Sequence, residues 1–221
     1  MKELTFSDTI STSFKLAINQ FWNVLGAIIL WIITIWIPYI NVGTTIGLIR
    51  LQIKLGRGEK ISAGDIFDAE NRIPMGKIFL LWSFMTTGII IGLIFFIIPG
   101  IVLWYAWFLS SMLILDKKLD PIQAMSKSYD LTYGYKWLIF FITLAINFIY
   151  GVTSVLTDPN TWNITADIDM SRWFDYYIYS PSLYYFLLLL TIGVSLIGGV
   201  WLMAAYGRIY SVLSVGKKSK K

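Results

Sequence analysis

The sequence predicts an all-α integral membrane protein: six transmembrane helices arranged as three hairpins, each preceded by an amphipathic interfacial helix, with both termini cytoplasmic. Three observations carry this. Hydrophobic residues make up 57% of the 221 positions and charged residues 14%, against about 45–50% and 25% in a soluble domain. The length suits one bundle of about six spans of roughly 20 residues each and leaves no room for a second soluble domain. With the spans drawn in, every one of the 18 Lys and Arg residues except Arg172 falls on one side, and cytoplasmic loops are the ones that retain such residues. The chain reads as a single membrane domain over 1–221, with hairpin units at about 6–56, 62–116 and 120–214 and an outer loop at about 157–182.

The elements follow in order. Phe6, Ile10, Phe14, Ile18 and Phe21 recur at helical spacing opposite Ser, Thr, Asp, Lys and Asn. That helix is too polar to cross and is expected to lie in the interface. The first span runs over 21–37 and stops before Pro38. Glu3, Asp8, Lys15 and Gln20 are unlike a cleavable signal peptide, so this span is expected to act as its own insertion signal.

The second span, 40–55, is the most polar, with Thr44, Thr45, Arg50, Gln52 and Lys54. The return of basic residues at Arg50 requires a crossing there, and Gly43-x-x-x-Gly47 would let it pack closely on a neighbour. Ser62-Ala63-Gly64-Asp65 resembles a capping box ahead of a short helix. The third span, 78–98, contains Gly88-x-x-x-Gly92, and Pro99-Gly100 makes its outer turn. The fourth, 101–115, returns to Asp116-Lys117-Lys118. Asp120 as N-cap and Pro121 as first residue open a surface helix that Gly134 stops.

The fifth span is 137–156. The outer loop carries Asp158, Asp167, Asp169 and Asp175, with Trp162, Trp173, Tyr176 and Tyr177 among its aromatic residues, which suits a headgroup-level aromatic belt. The sixth span, 183–207, ends at Arg208 and a Lys-rich tail. Ile37-Pro38-Tyr39-Ile40 and Ile98-Pro99-Gly100-Ile101 occupy equivalent hairpin tips, which is the basis for an internal repeat.

Cys and His are both absent. That excludes disulfides, Cys or His metal sites, His-based triads and histidine proton relays. Gly56-Arg57-Gly58-Glu59-Lys60 is not a phosphate-binding loop. No catalytic residue, metal or cofactor is expected. The net charge of +5 is assigned to the anionic inner leaflet rather than to nucleic acid, because the basic residues flank apolar spans.

The run Ile97-Ile98-Pro99-Gly100-Ile101, then Asp116, Ala124, Ser128 and Tyr133-Gly134, resembles a bacterial family signature. Gly56-Arg57-Gly58-Glu59, Asp65-Ile66-Phe67 and Tyr206 extend the likeness over nearly the whole chain. The family is the membrane domain attached to some glycerophosphodiester phosphodiesterases, with its stand-alone YciC-like relatives. The resemblance implies a six-span fold and no reaction, since the phosphodiesterase activity belongs to a separate barrel domain. The long acidic outer loop departs from the family pattern.

Candidate sites each carry two readings. Arg50, with Gln52 and Lys54 on the same span, sits about ten residues past the outer turn, roughly 15 Å deep by helical rise. It either grips a lipid phosphate or solute or snorkels with Lys54 to the interface. Pro38, Pro99 and Gly100 are either hinges or plain terminators. Asp65, Asp68, Asp116, Asp120 and Asp130 form either a metal or acid/base cluster or solvated charge interleaved with lysines. Asn163-Ile164-Thr165 has the form of a glycosylation sequon. Trp162, Trp173, Tyr176 and Tyr177 either bind an outside partner or rest in the headgroups.

The function expected is a non-enzymatic factor of the inner (plasma) membrane that acts on lipids or on partner membrane proteins, itself included. A permease-like carrier of a small amphipathic solute and an immunity protein against a membrane-active peptide are the alternatives. A lipid- or solute-sized cavity reaching Arg50 favours the carrier, a solid core with an exposed apolar groove favours the first reading or an oligomer, and an outer loop needed for peptide resistance, with the bundle intact, favours the third.

Overall fold

The computed structural model describes residues 4–157 and 181–216, which are mostly helical and contain no strand. In chain order, α1 is Phe6–Asn19, α2 Phe21–Thr34, α3 Pro38–Gly56, α4 Met75–Phe95, α5 Ile97–Trp107, α6 Ser110–Lys117, α7 Pro121–Thr132, α8 Lys136–Thr157 and α9 Pro181–Gly216. Two single turns of 3-10 helix, Ala63–Phe67 and Ala69–Asn71, join α3 to α4.

Among the described residues, four stretches are long and apolar enough to cross a membrane: Met75–Phe95, Ile97–Lys117, Lys136–Thr153 and Tyr185–Val215. The pair α1 and α2, bent by 75°, makes a fifth if taken as one broken span. Around the α4–α5 turn, Ile94, Phe95, Phe96, Ile97 and Ile98 are each 70–75% exposed, more contiguous apolar surface than a water-soluble monomer presents. The 40–55 span expected from the sequence lies in α3, which is not among these stretches.

Local rules account for most boundaries. Pro38 takes the first position of α3, where a missing N–H costs nothing. The Ser62–Asp65 capping box forms as expected and opens the first 3-10 turn. Asp120 and Pro121 open α7 as expected, but the Asp120 carboxylate binds Lys77 rather than capping. Gly134, at φ +85°, terminates that helix.

The α4–α5 turn differs from the expectation. Phe96, extended at φ −157° and ψ 137°, makes it alone, and Pro99-Gly100 falls inside the first turn of α5. Proline is tolerated there because the first N–H groups of a helix have no partner anyway. Gly100 then lets α5 lie against Gly92 and Leu93 of α4. Both proline positions therefore lie in the first turn of a helix.

The segment Ile97–Lys117 is broken at Phe108–Leu109. Ser128 of α7, fully buried, mends the break. Its hydroxyl donates to the Ala106 carbonyl at 2.7 Å and accepts from the Leu109 N–H at 3.2 Å. Unpaired backbone groups in an apolar interior cost several kcal/mol, so the repair is what lets the kink exist.

At the end of the bundle away from Phe96, a core forms around Ile46, Leu51, Leu55, Leu109, Leu113, Leu131 and Tyr210. The C-terminal half of α9 runs into this core, and its N-terminal half, with Tyr185, Phe186 and Leu189, is exposed. The crossing of α3 over α9 is backbone on backbone, Gly56 and Gln52 against Gly207. No side chain fits between them.

α1 is turned opposite to a soluble amphipathic helix. Its buried face is Thr9, Ser13 and Ala17, and Phe6, Phe14 and Ile18 are exposed. Small residues let it lie close along α9, where Trp201 donates to Ser13 at 3.0 Å and Arg208 meets Asp8 at 2.9 Å.

Candidate functional site: a basic pocket at the mouth of the α4–α6 hairpin

Arg50 lies in the C-terminal half of α3, on the side that receives the 3-10 segment. That segment is held by Ile66, by Asn71 donating to the carbonyls of Asp65 and Ile66 at 3.1 Å each, and by Lys54 on Asp65 at 2.8 Å. Its path brings Ile73 and Pro74 beside Arg50. The result is a pocket of about 370 Å³ lined by Arg50, Glu70, Ile73, Pro74, Lys77, Ile114, Leu115 and Lys118.

The pocket gathers three cations, Arg50, Lys77 and Lys118, against the lining carboxylate of Glu70. Arg50 touches Glu70 only at the long distances of 3.4 and 3.5 Å, and its Nε is buried with no partner. Lys77 pairs with Asp120 at 2.6 Å. Lys118 makes no ion pair among the described residues and ends α6 in the left-handed conformation, φ 55° and ψ 30°. That conformation costs a residue with a side chain about 1–2 kcal/mol, and glycine usually occupies it. Three cations thus surround an apolar floor of Ile73, Pro74, Ile114 and Leu115. The chemistry this fits is a phosphate-like anion carried on an apolar body.

Lys77 begins one apolar stretch and Lys118 follows another, so the pocket marks one end of both. Arg50 shares its pocket with Pro74 and Lys77 at the start of α4. Lys54 is taken up by Asp65 and does not line the pocket. Gln52 stands at the α9 crossing, with its carbonyl against Gly207. Lys77 and Lys118 were not singled out in the sequence; their only signal was that each borders an apolar stretch.

A second polar group lies behind the pocket. Asp116, nearly buried, accepts from Arg57 at 2.6 Å and from the Tyr210 hydroxyl at 2.7 Å, with Lys117 at 3.1 Å. Burial opposes the charge on Arg57, but the hydrogen bond and field of Asp116 outweigh it and hold the guanidinium more firmly protonated than usual. The carboxylates of Asp65, Asp116 and Asp120 each meet a different cation. Among the described residues no three acidic side chains are grouped to hold a metal ion.

An apolar cleft of about 440 Å³ also opens beside α5 and α8, lined by Ile98, Ile101, Val102, Tyr105, Trp137 and Phe140. At its rim Lys136 Nζ stands 4.2 Å from the centre of the Tyr129 ring. Trp162, Trp173, Tyr176 and Tyr177 of the outer loop, and the 163–165 sequon, lie outside the described residues. Comparison with known proteins finds no family model, no curated protein and no solved structure that matches this chain.

Proposed function

We propose that this is a non-enzymatic integral membrane protein that holds anionic lipid headgroups in the Arg50–Lys77–Lys118 pocket, as a lipid-handling or assembly factor of the bacterial inner membrane. The observation that carries this reading is the placement of three cations over an apolar floor, at one end of two membrane-length stretches. A phosphate at that level meets Arg50 Nε, and the first methylenes of its chains meet Ile114 and Leu115. The motif resemblance to the membrane domain of glycerophosphodiester phosphodiesterases agrees with a lipid-facing role.

We place both termini in the cytoplasm, with Lys77, Lys117, Lys118 and Arg208 on the inner face, on the strength of the charge asymmetry. Four crossings, or six as three hairpins, both satisfy it. The carrier reading has its own support in the cavity at Arg50. It differs in needing that pocket to open alternately to the outer face, whereas the lining residues all gather at one end.

The test is binding of short-chain phosphatidylglycerol to the purified protein in neutral detergent. We expect saturable binding that weakens with salt, drops several-fold in Arg50→Gln and is poor for phosphatidylcholine. Equal binding of both lipids, or an unaffected Arg50→Gln, would sink the proposal. Inorganic phosphate matching the lipid in affinity would point to a soluble solute and so to the carrier.

A further inference from the structure

The tip of the α2–α3 hairpin, like the α4–α5 turn, presents apolar side chains that the rest of the bundle leaves uncovered. We propose that this hairpin is a one-leaflet wedge, entering the hydrocarbon from the side of the basic pocket and turning back at Ile35–Ile37. The inference rests on the membrane reading above and goes beyond it in naming what this surface touches.

The polar segment 57–74 fixes the level. It does not sit at the open end of the hairpin, as a loop between crossings would. It threads the groove between the two helices. Ala63 faces Gly26 of α2, with 3.0 Å left for an added Cβ, and the Ile66 backbone lies against Gly47 of α3 at 2.6 Å on the same measure. Further along, the Arg72 stem and Met75 flank Gly43. Asp65, Asp68, Glu70 and Arg72 are therefore held beside the middle of the hairpin. A segment with that much charge stays at the headgroup level, since each charge taken to the bilayer centre costs about 2.5–3.5 kcal/mol on insertion scales.

From that level the hairpin has little length left. Gly26 to Thr34 is eight residues, about 12 Å at the helical rise, and Gly47 back to Pro38 is nine, about 14 Å. Counted from Arg72 at Gly43 the reach is about 8 Å. The hydrocarbon core is about 30 Å thick, so the tip ends within the first leaflet.

What projects is suited to lipid. No charged residue occurs between Lys15 and Arg50. Ile32, Ile33, Trp36, Ile37 and Tyr39 are exposed, Trp36 by 87%. The polar groups at the tip bond to one another: Trp31 Nε1 donates to Thr45 at 2.9 Å, Thr34 and Thr44 share a bond of 3.0 Å, and the turn closes through Ile35 and Ile37 N–H groups. Backbone in hydrocarbon must satisfy itself in this way. The bend of 75° at Gln20, whose side chain binds the Glu59 carbonyl and the Ile61 N–H, aims the hairpin away from α1.

The chain has no cysteine, so single thiols report cleanly. Trp36→Cys and Phe96→Cys, at the tips of the wedge and of the α4–α5 hairpin, would be labelled in cells with a membrane-impermeant maleimide and in vesicles with a fluorophore quenched by lipid-borne bromines. We expect Phe96→Cys to react from outside, and Trp36→Cys to be shielded from both sides and quenched by acyl-chain bromines. Trp36→Cys reacting from outside as fast as Phe96→Cys overturns the wedge in favour of a full crossing. Trp36→Cys reacting only from inside, unquenched, overturns it in favour of a hairpin clear of the bilayer. Neither tip quenched by lipid would instead bring down the membrane reading itself.

Discussion

Lys118 separates a binding role from a structural one by opposing signs. Its left-handed backbone, φ 55°, costs about 1–2 kcal/mol that glycine would not pay. Glycine gives back about 0.4–1 kcal/mol through the freer unfolded chain. Lys118→Gly should therefore leave stability unchanged or raise it by about 1 kcal/mol. The same change removes one of three cations from the pocket. A lysine near an anionic membrane surface contributes about 1 kcal/mol, which is roughly a five-fold loss of affinity. The paired assay is thermal unfolding in detergent and titration with short-chain phosphatidylglycerol. Gain or parity in stability with a several-fold loss of binding supports the argument. Loss of stability with binding intact would refute it, because Lys118 would then be holding the fold rather than the ligand.

Two further substitutions test the frame around the pocket. Ser128→Ala removes the hydroxyl that serves both Ala106 and Leu109. With Thr132 only 3.4 Å from the same carbonyl as a partial substitute, the loss should be about 2–3 kcal/mol, read as a fall in unfolding temperature in detergent. Asp116→Asn leaves Arg57 without its counter-charge and turns one oxygen that faces Tyr210 into a donor. Breaking such a pair costs about 3 kcal/mol. Tyr210→Phe, which removes one donor alone, should cost less, about 1.5–3 kcal/mol, and the reverse order would show that the pair with Arg57 contributes little.

Much of the helical order was legible because its signals are local. Pro38, the Ser62–Asp65 box, Asp120-Pro121 and Gly134 each act within a few residues, and the structure puts an element boundary at all of them. The motif residues were legible as a pattern without a reason, and the structure supplies one. Ser128 mends a broken helix, Asp116 ties Arg57 to Tyr210, and Ala124 is fully buried. The place of α3 was not legible. Counting charges on each side fixes the parity of crossings, and a hairpin that returns to its own side leaves parity unchanged. The polarity of Arg50, Gln52 and Lys54 was the sign that α3 differs, and only the 3-10 segment lying along it gives that sign a meaning. Lys77 and Lys118 were missed because pocket membership joins residues far apart in the chain. Phe96 was missed as the turn because proline and glycine three residues on drew the assignment.

The docking of α1 on α9 sets the order in which the protein can be made. Asp8 and Arg208 are separated by 200 positions, so α1 leaves the ribosome well before the helix it packs against. At 5–20 residues per second that is a delay of roughly 10–40 s. During it Thr9, Ser13 and Ala17 have no surface to meet, while Phe6, Phe14 and Ile18 can already dissolve in the bilayer edge. On the membrane reading proposed above, that exposed apolar stripe would keep α1 at the bilayer surface until α9 is synthesised. The α1–α9 contact can close only after α9 is made, and a chain cut short before α9 would leave the Thr9, Ser13 and Ala17 face uncovered.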